Sequence, residues 1–272
     1  MSFSIIERPS PAQLMTSLFP AGSDISYQNV NFTGADRCAA LFSGASSVVT
    51  NSTLNFPESG LILGTGLPIS LYGQDGTESY YDFSSPGDLD IAQGSSFPSF
   101  DACILEFEFQ CNNLAGGSAS LDYVFSSDEY KEQIDEGAGY ADLFAIILNG
   151  ENIATIPGTS DPVGVYTVNH LTQTDYFVYN EPRPGQAAFP GFEPDGFTVG
   201  LEATGSFNIG WNTMKIGIVD VQDQYLDSWL FLKEGSFDCT VDPLATWPPT
   251  PAPTNSQIDD CTGSACGGEH SI

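Results

Sequence analysis

Positive charge is what this chain has least of. Its 272 residues include six Lys and Arg against 35 Asp and Glu, giving a formal net charge of −29 and a pI near 4.1. Neutralising nucleic-acid phosphates or an anionic membrane surface takes clusters of Lys and Arg, so both classes of partner are excluded. Histidine is nearly as scarce. Only His170 and His270 occur, and no C-x-x-C pair accompanies them, which leaves a zinc site almost without ligands. The G-x-S-x-G, G-x-x-x-x-G-K and H-E-x-x-H signatures are all missing. Gly64-Thr-Gly66 opens a dinucleotide fingerprint, but Ile69 stands where the third glycine belongs. The expectation is a protein that is not an enzyme. No apolar run approaches the roughly 20 residues of a membrane span; the longest clear one is Leu143 to Leu148. Met1 to Pro9 has neither the basic start nor the apolar core of a signal peptide, so an exported protein whose leader lies outside this chain is expected.

What is present argues for an all-β domain. Hydrophobic residues make up 41% and aromatics 12%, too much for a disordered chain, and 28 Gly and 18 Pro predict many short strands joined by turns. Ser10-Pro11-Ala12-Gln13 is a helix start: Ser caps, Pro takes the first helical position, and Gln13 reaches back to complete a capping box. One short helix over 11–19 is therefore predicted. Beyond it the signals are strands. Leu105, Phe107 and Phe109 alternate with Glu106 and Glu108; Phe197, Val199 and Leu201 alternate again. Leu121–Phe125, Met214–Val219 and Ser228–Leu232 read as further strands, and Asn149-Gly150 between Leu143–Leu148 and Glu151–Ile156 is a two-residue hairpin turn. Many short strands with one apolar face bury those faces against each other, so a jelly-roll-like β-sandwich is expected. The division expected is an N-terminal extension over 1–9, the sandwich over 10–240, and a tail over 241–272 in which Trp247–Asn255 is a stiff Pro/Thr spacer. Such spacers join the modules of larger secreted proteins.

Six cysteines, an even number, suit disulfides in an oxidising compartment. Their positions favour local pairs Cys103–Cys111 and Cys261–Cys266, leaving Cys38 for Cys239. Two sequons, at Asn31 and Asn51, are candidate glycosylation sites and point to the same extracellular or cell-surface setting.

Carboxylates gather where strands end. Val219–Ser228 places Asp220, Asp223 and Asp227 in one strand connection; Asp128 and Glu129 follow another strand; Asp142 opens a third. Acids crowded together without Lys or Arg need a cation, a proton or water between them. Hard oxygen ligands arriving from loops are what Ca²⁺ takes, so a calcium site built from Asp128, Glu129, Asp142, Asp220, Asp223 and Asp227 is expected. Two alternatives use other residues or the same ones differently. A carbohydrate-binding module would stack sugars on Tyr80, Tyr81, Tyr176, Phe177, Tyr179 or Trp211. A glycoside hydrolase would use two of Asp128, Glu129 and Asp220 at a set separation.

Several longer segments carry a resemblance. Leu54-Asn-Phe-Pro-Glu-Ser-Gly-Leu-Ile-Leu-Gly-Thr-Gly66, Phe100-Asp-Ala-Cys-Ile-Leu-Glu-Phe107 and Tyr123-Val-Phe-Ser-Ser-Asp-Glu-Tyr130 are followed by Asp142-Leu-Phe144, Asn152-Ile-Ala154 and Asp195-Gly-Phe-Thr198. Lys215-Ile-Gly-Ile-Val-Asp220, Asp227-Ser228 and Phe231-Leu-Lys-Glu-Gly-Ser-Phe237 complete the set. In order and spacing, over roughly residues 12–238, the chain resembles the choice-of-anchor L domain family. The departures are the extra cysteines and the Pro/Thr tail, which stands where family members carry an anchor or sorting signal. The resemblance implies an extracellular β-rich module, part of a larger adhesin-like or matrix protein. Its partner would be an extracellular-matrix component or a surface glycan or protein, and it brings no catalytic residues with it.

Overall fold

Ser10 begins the first helix as its side chain dictates. Its Oγ accepts the amide of Gln13, and the Gln13 side chain accepts the amide of Ser10, so two donors that a helix end leaves unpaired are satisfied at once. In the computed structural model, which describes residues 2–19, 22–72, 79–112, 114, 116–137, 141–180 and 188–241, this helix α1 spans Pro11–Leu18. It seals one end of the core with Leu14, Met15 and Leu18. The strand β1 (Ser4–Glu7) precedes it, and β2 (Ile25–Thr33), β3 (Ala39–Ser43) and β4 (Ser59–Gly64) follow. The long strands β5 (Ser99–Cys111) and β6 (Gly117–Ser127) come next, then a short helix α2 (Glu132–Glu136). Asn149 and Gly150 both adopt positive φ and join β7 (Leu143–Leu148) to β8 (Glu151–Asn152) in the two-residue turn their sequence predicts. The remaining strands are β9 (Phe177–Tyr179), β10 (Gly196–Thr198), β11 (Leu201–Phe207), β12 (Asn212–Val221), β13 (Ser228–Lys233) and β14 (Asp238–Val241).

These strands form two antiparallel sheets, consistent with a β-sandwich. The larger runs β1-β3-β4-β13-β6-β10-β9, with β11 and β14 also paired to β6, nine strands in all; the smaller runs β2-β5-β12-β7-β8. Between them lie Leu105, Phe107 and Phe109 from β5, Leu61 and Leu63 from β4, Tyr123 and Phe125 from β6, and Leu230 and Leu232 from β13. The alternation around Glu106 and Glu108 thus reads correctly. In the larger sheet, however, both faces are covered. Ile62, Val124 and Phe231 point away from the sandwich core into a second cluster with Phe42, Phe192 and Phe197. This is why Gly60–Gly64 is an unbroken buried run with no period of two.

Four expectations need correction. Residues 4–7, set outside the domain on sequence grounds, are an edge strand paired with β3 from Ser4–Ser43 to Glu7–Ala40. The pattern Phe197–Leu201 is two strands, not one, because Gly200 turns aside to donate to the Leu54 carbonyl at 2.7 Å. Of the Glu151–Ile156 stretch, only Glu151 and Asn152 form a strand beside β7, with Ile153 adding one amide bond to the Ile146 carbonyl at 2.8 Å. Finally, the cysteines pair as Cys38–Cys103 and Cys111–Cys239, not Cys103–Cys111 and Cys38–Cys239. Cys103 and Cys111 lie on one continuous strand. At about 3.3 Å per residue that separates them by roughly 26 Å, so they cannot meet. The Cys261–Cys266 expectation and the 241–272 tail fall, beyond Val241, outside the described residues. Both observed disulfides join the two sheets, one near each end of β5, with Cα–Cα distances of 5.9 and 6.1 Å.

Candidate functional site

One end of the sandwich collects the acids. There β6 and β12 finish while β5, β7 and β13 begin, as the pairs Ser127–Ser228, Asp220–Phe100 and Val219–Leu143 show. Asp128 and Glu129 follow β6, Asp142 precedes β7, Asp220 sits in β12 beside a bulge, and Asp227 precedes β13. All five are at most 2% exposed. Asp101 of β5, at positive φ, is fully buried beside them.

Most of these carboxylates accept backbone amides. Ser79, Tyr81, Phe83 and Ser85 present alternate N–H groups to Asp128 Oδ2 (2.9 Å), Asp227 Oδ1 (2.9 Å), Asp101 Oδ2 (2.8 Å) and Asp101 Oδ1 (2.7 Å). Residues 79–85 are therefore a strap whose amides are held by side-chain carboxylates where a sheet strand would be held by carbonyls. Deeper in, Glu129 Oε2 accepts the Asp142 amide at 2.6 Å, and Asp142 Oδ1 accepts the Val221 amide at 3.2 Å. Thr65 Oγ accepts from the Ser228 amide at 2.9 Å. Gly66 lies against Asp227 so closely that a side chain there would overlap the carboxyl group.

Two oxygens remain over. Asp220 Oδ1 and Asp227 Oδ2 are buried and have no hydrogen-bond partner. Five basic residues among those described have acidic partners outside this cluster: Lys215 with Asp88 and Asp90, Lys233 with Asp122, Arg37 with Glu7, Arg8 with Asp36 and Lys131 with Asp135. Burial accordingly pushes Asp128, Glu129, Asp142 and Asp220 well above the usual carboxylate range, and each is pushed further by neighbouring acids. Asp227 is pushed up to about 6, by burial first and by Asp101 in addition. Among the described residues no group of three or more His, Cys, Asp or Glu side chains is placed to hold a metal ion.

The model of one protein family, the choice-of-anchor L domain, matches residues 5–238. The chain belongs to that family. Neither the curated proteins nor the solved structures contain a match. The span begins inside β1 and ends at the first residue of β14, so it takes in the sheets and the acidic end together. For this choice-of-anchor L domain, two disulfides indicate an oxidising, extracellular environment, and no helix among the described residues is long and apolar enough to cross a membrane.

Within the domain, five of the six acids singled out in the sequence come together. Asp223 stands half-exposed at the margin, its charge still felt by Glu129 and Asp142. Sequence reasoning missed Asp101, Asp195, Thr65 and Gly66. Asp195 donates its amide to Asp128 Oδ1 at 3.3 Å. The signal was available, since Asp101, Asp195, Thr65 and Gly66 all fall inside the family-like segments. His170 Nε2 meets Asp135 Oδ1 at 3.2 Å, and Asn31 and Asn51 are both exposed.

Proposed function

We propose that this domain is a non-enzymatic extracellular or cell-surface module for adhesion or matrix contact, stabilised by calcium at its acidic end and forming part of a larger multi-module protein. The observation that carries the calcium reading is the pair of buried, unpartnered oxygens on Asp220 and Asp227. An ionised oxygen taken from water without a donor or a cation costs several kcal/mol. A divalent ion at that point, held by Asp220 and Asp227 with Asp142 and Asp128 close by, would offset it. Loop carbonyls and water would complete the shell, and so open a shell gives the weak affinity of extracellular calcium modules, about 10⁻⁴–10⁻³ M. The non-enzymatic reading is supported by the state of the acids a glycosidase would use. Asp128, Glu129 and Asp220 are buried, and Asp128 and Glu129 are already engaged by backbone amides, so no sugar oxygen reaches them.

Thermal unfolding in EDTA and in millimolar Ca²⁺ tests the calcium reading. At 1 mM, Ca²⁺ contributes about 0.4–1.4 kcal/mol per site, a rise of a few degrees. The double variant Asp220→Asn, Asp128→Asn should melt higher than wild type in EDTA and lose the calcium response. An unchanged wild-type midpoint, an equal shift in the variant, or an equal shift from sodium chloride at matched ionic strength would each overturn it.

A further inference from the structure

An open cleft of about 560 Å³ lies directly outside the acidic end, between the strap and the β12–β13 connection. Its walls are tyrosines. Tyr80 is 69% exposed, Tyr225 68% and Tyr81 42%, the first two more exposed than any other aromatic among the described residues. Between them the lining is amide and carboxylate: Gln222, Gln224, Asp82 and Asp223. No Lys or Arg is among the lining residues.

From this composition we infer that the cleft binds a neutral, hydroxyl-rich saccharide. The apolar C–H face of a sugar ring needs a flat aromatic surface, and its hydroxyls need acceptors and donors within the same span. Tyrosine rings flanked by Gln and Asp side chains supply both. A sulfated or uronate-bearing glycan is a poor fit, because its charge would meet Asp82 and Asp223 in a molecule of net charge −29 with no cation in the cleft.

The cleft is also held in shape before any ligand arrives. Asp227 ties its two walls together, donating its amide to the Ser79 carbonyl at 2.9 Å while its side chain takes the Tyr81 amide. Gln224 Nε2 spans to Asp82 Oδ1 at 2.7 Å and to Asp101 Oδ2 at 3.3 Å. Gln222 and Leu226 bracket the connection at positive φ, and Gln222 is anchored through its amide to the Pro98 carbonyl at 2.9 Å. A backbone framework already held in place loses little conformational entropy on binding. The site stands whether or not a cation sits beneath it.

Native affinity electrophoresis suits so acidic a protein. Gels would contain a soluble β-1,4-glucan, a β-1,3-glucan, a mannan or a galactan, with a sulfated polysaccharide as comparison, each run in EDTA and in millimolar Ca²⁺. Retardation by at least one neutral polymer is expected in either buffer. Tyr80→Ala with Tyr225→Ala should weaken it roughly tenfold or more, whereas Tyr80→Phe with Tyr225→Phe keeps the stacking surface and most of the retardation. Melting curves matched to wild type show that the alanine variant is folded. Should it melt lower, Gln222→Ala alone, at an exposed residue, provides the second reading and should also weaken binding. No retardation by any neutral polymer, retardation by the sulfated one only, or equal retardation of the alanine variants would overturn the inference.

Discussion

The Asp227 carboxyl group occupies the space that a side chain at position 66 would fill. Glycine is needed there for close approach, its φ being ordinary, and alanine has to push the carboxylate away from the Tyr81 amide. Gly66→Ala should therefore cost about 1–3 kcal/mol in urea unfolding, and the cost should shrink in an Asp227→Ala background, where the overlapping atoms are gone. A cost unchanged by that background would place the strain elsewhere. Asp227 also sets a pH dependence. Its carboxyl titrates higher in the folded protein, about 6, than the 3.8 of an unstrained aspartate. Protonation thus favours the folded state: this contribution is full below pH 3.8, falls as pH rises, and is gone above about 6. The loss is on the order of 3 kcal/mol, and the other four acids act in the same direction. In EDTA the midpoint should fall between pH 5 and pH 7, and calcium should raise it at pH 7 but not at pH 5, where protons hold the ligands. A midpoint that climbs towards pH 7 in EDTA would contradict the assignment. These acids were legible in the sequence because each ends a visible hydrophobic strand. Gly66 and Asp101 were marked only by falling inside the family-like segments, since a close approach and a buried bend leave no local pattern of their own.

Among the elements, the strap shows what pattern reading misses. Residues 79–85 have no strand-like alternation, yet four of their amides are bonded by Asp128, Asp227 and Asp101. Strand β5 shows the converse: its alternation was plain, but its length was not, and the length alone forbids a Cys103–Cys111 bond. The observed bonds close segments of 65 and 128 residues between the sheets. In the loop-entropy account each contributes about 4–5 kcal/mol. Replacing Cys111 and Cys239 together by serine should lower stability by about 2–5 kcal/mol in denaturant unfolding under non-reducing conditions. Non-reducing peptide mapping should recover Cys38 with Cys103 and Cys111 with Cys239. Recovery of a Cys103–Cys111 peptide would refute the topology.

At the scale of the molecule, some properties were settled by the chain alone. The excess of acid, the capped helix at Ser10, the Asn149-Gly150 hairpin and the alternation of β5 depend on residues adjacent in sequence, whose local energetics do not wait for the fold. Antiparallel strands in two layers followed from that patterning. Tertiary structure decided everything that joins distant residues. It paired Cys38 with Cys103 and Cys111 with Cys239, and it covered the outer face of the larger sheet with Phe42, Phe192 and Phe197. It also drew acids from five strand ends into one buried cluster with tyrosines above it. Burial and proximity are properties of three-dimensional packing, and a carboxylate shifts its charge balance only after the fold has removed its water.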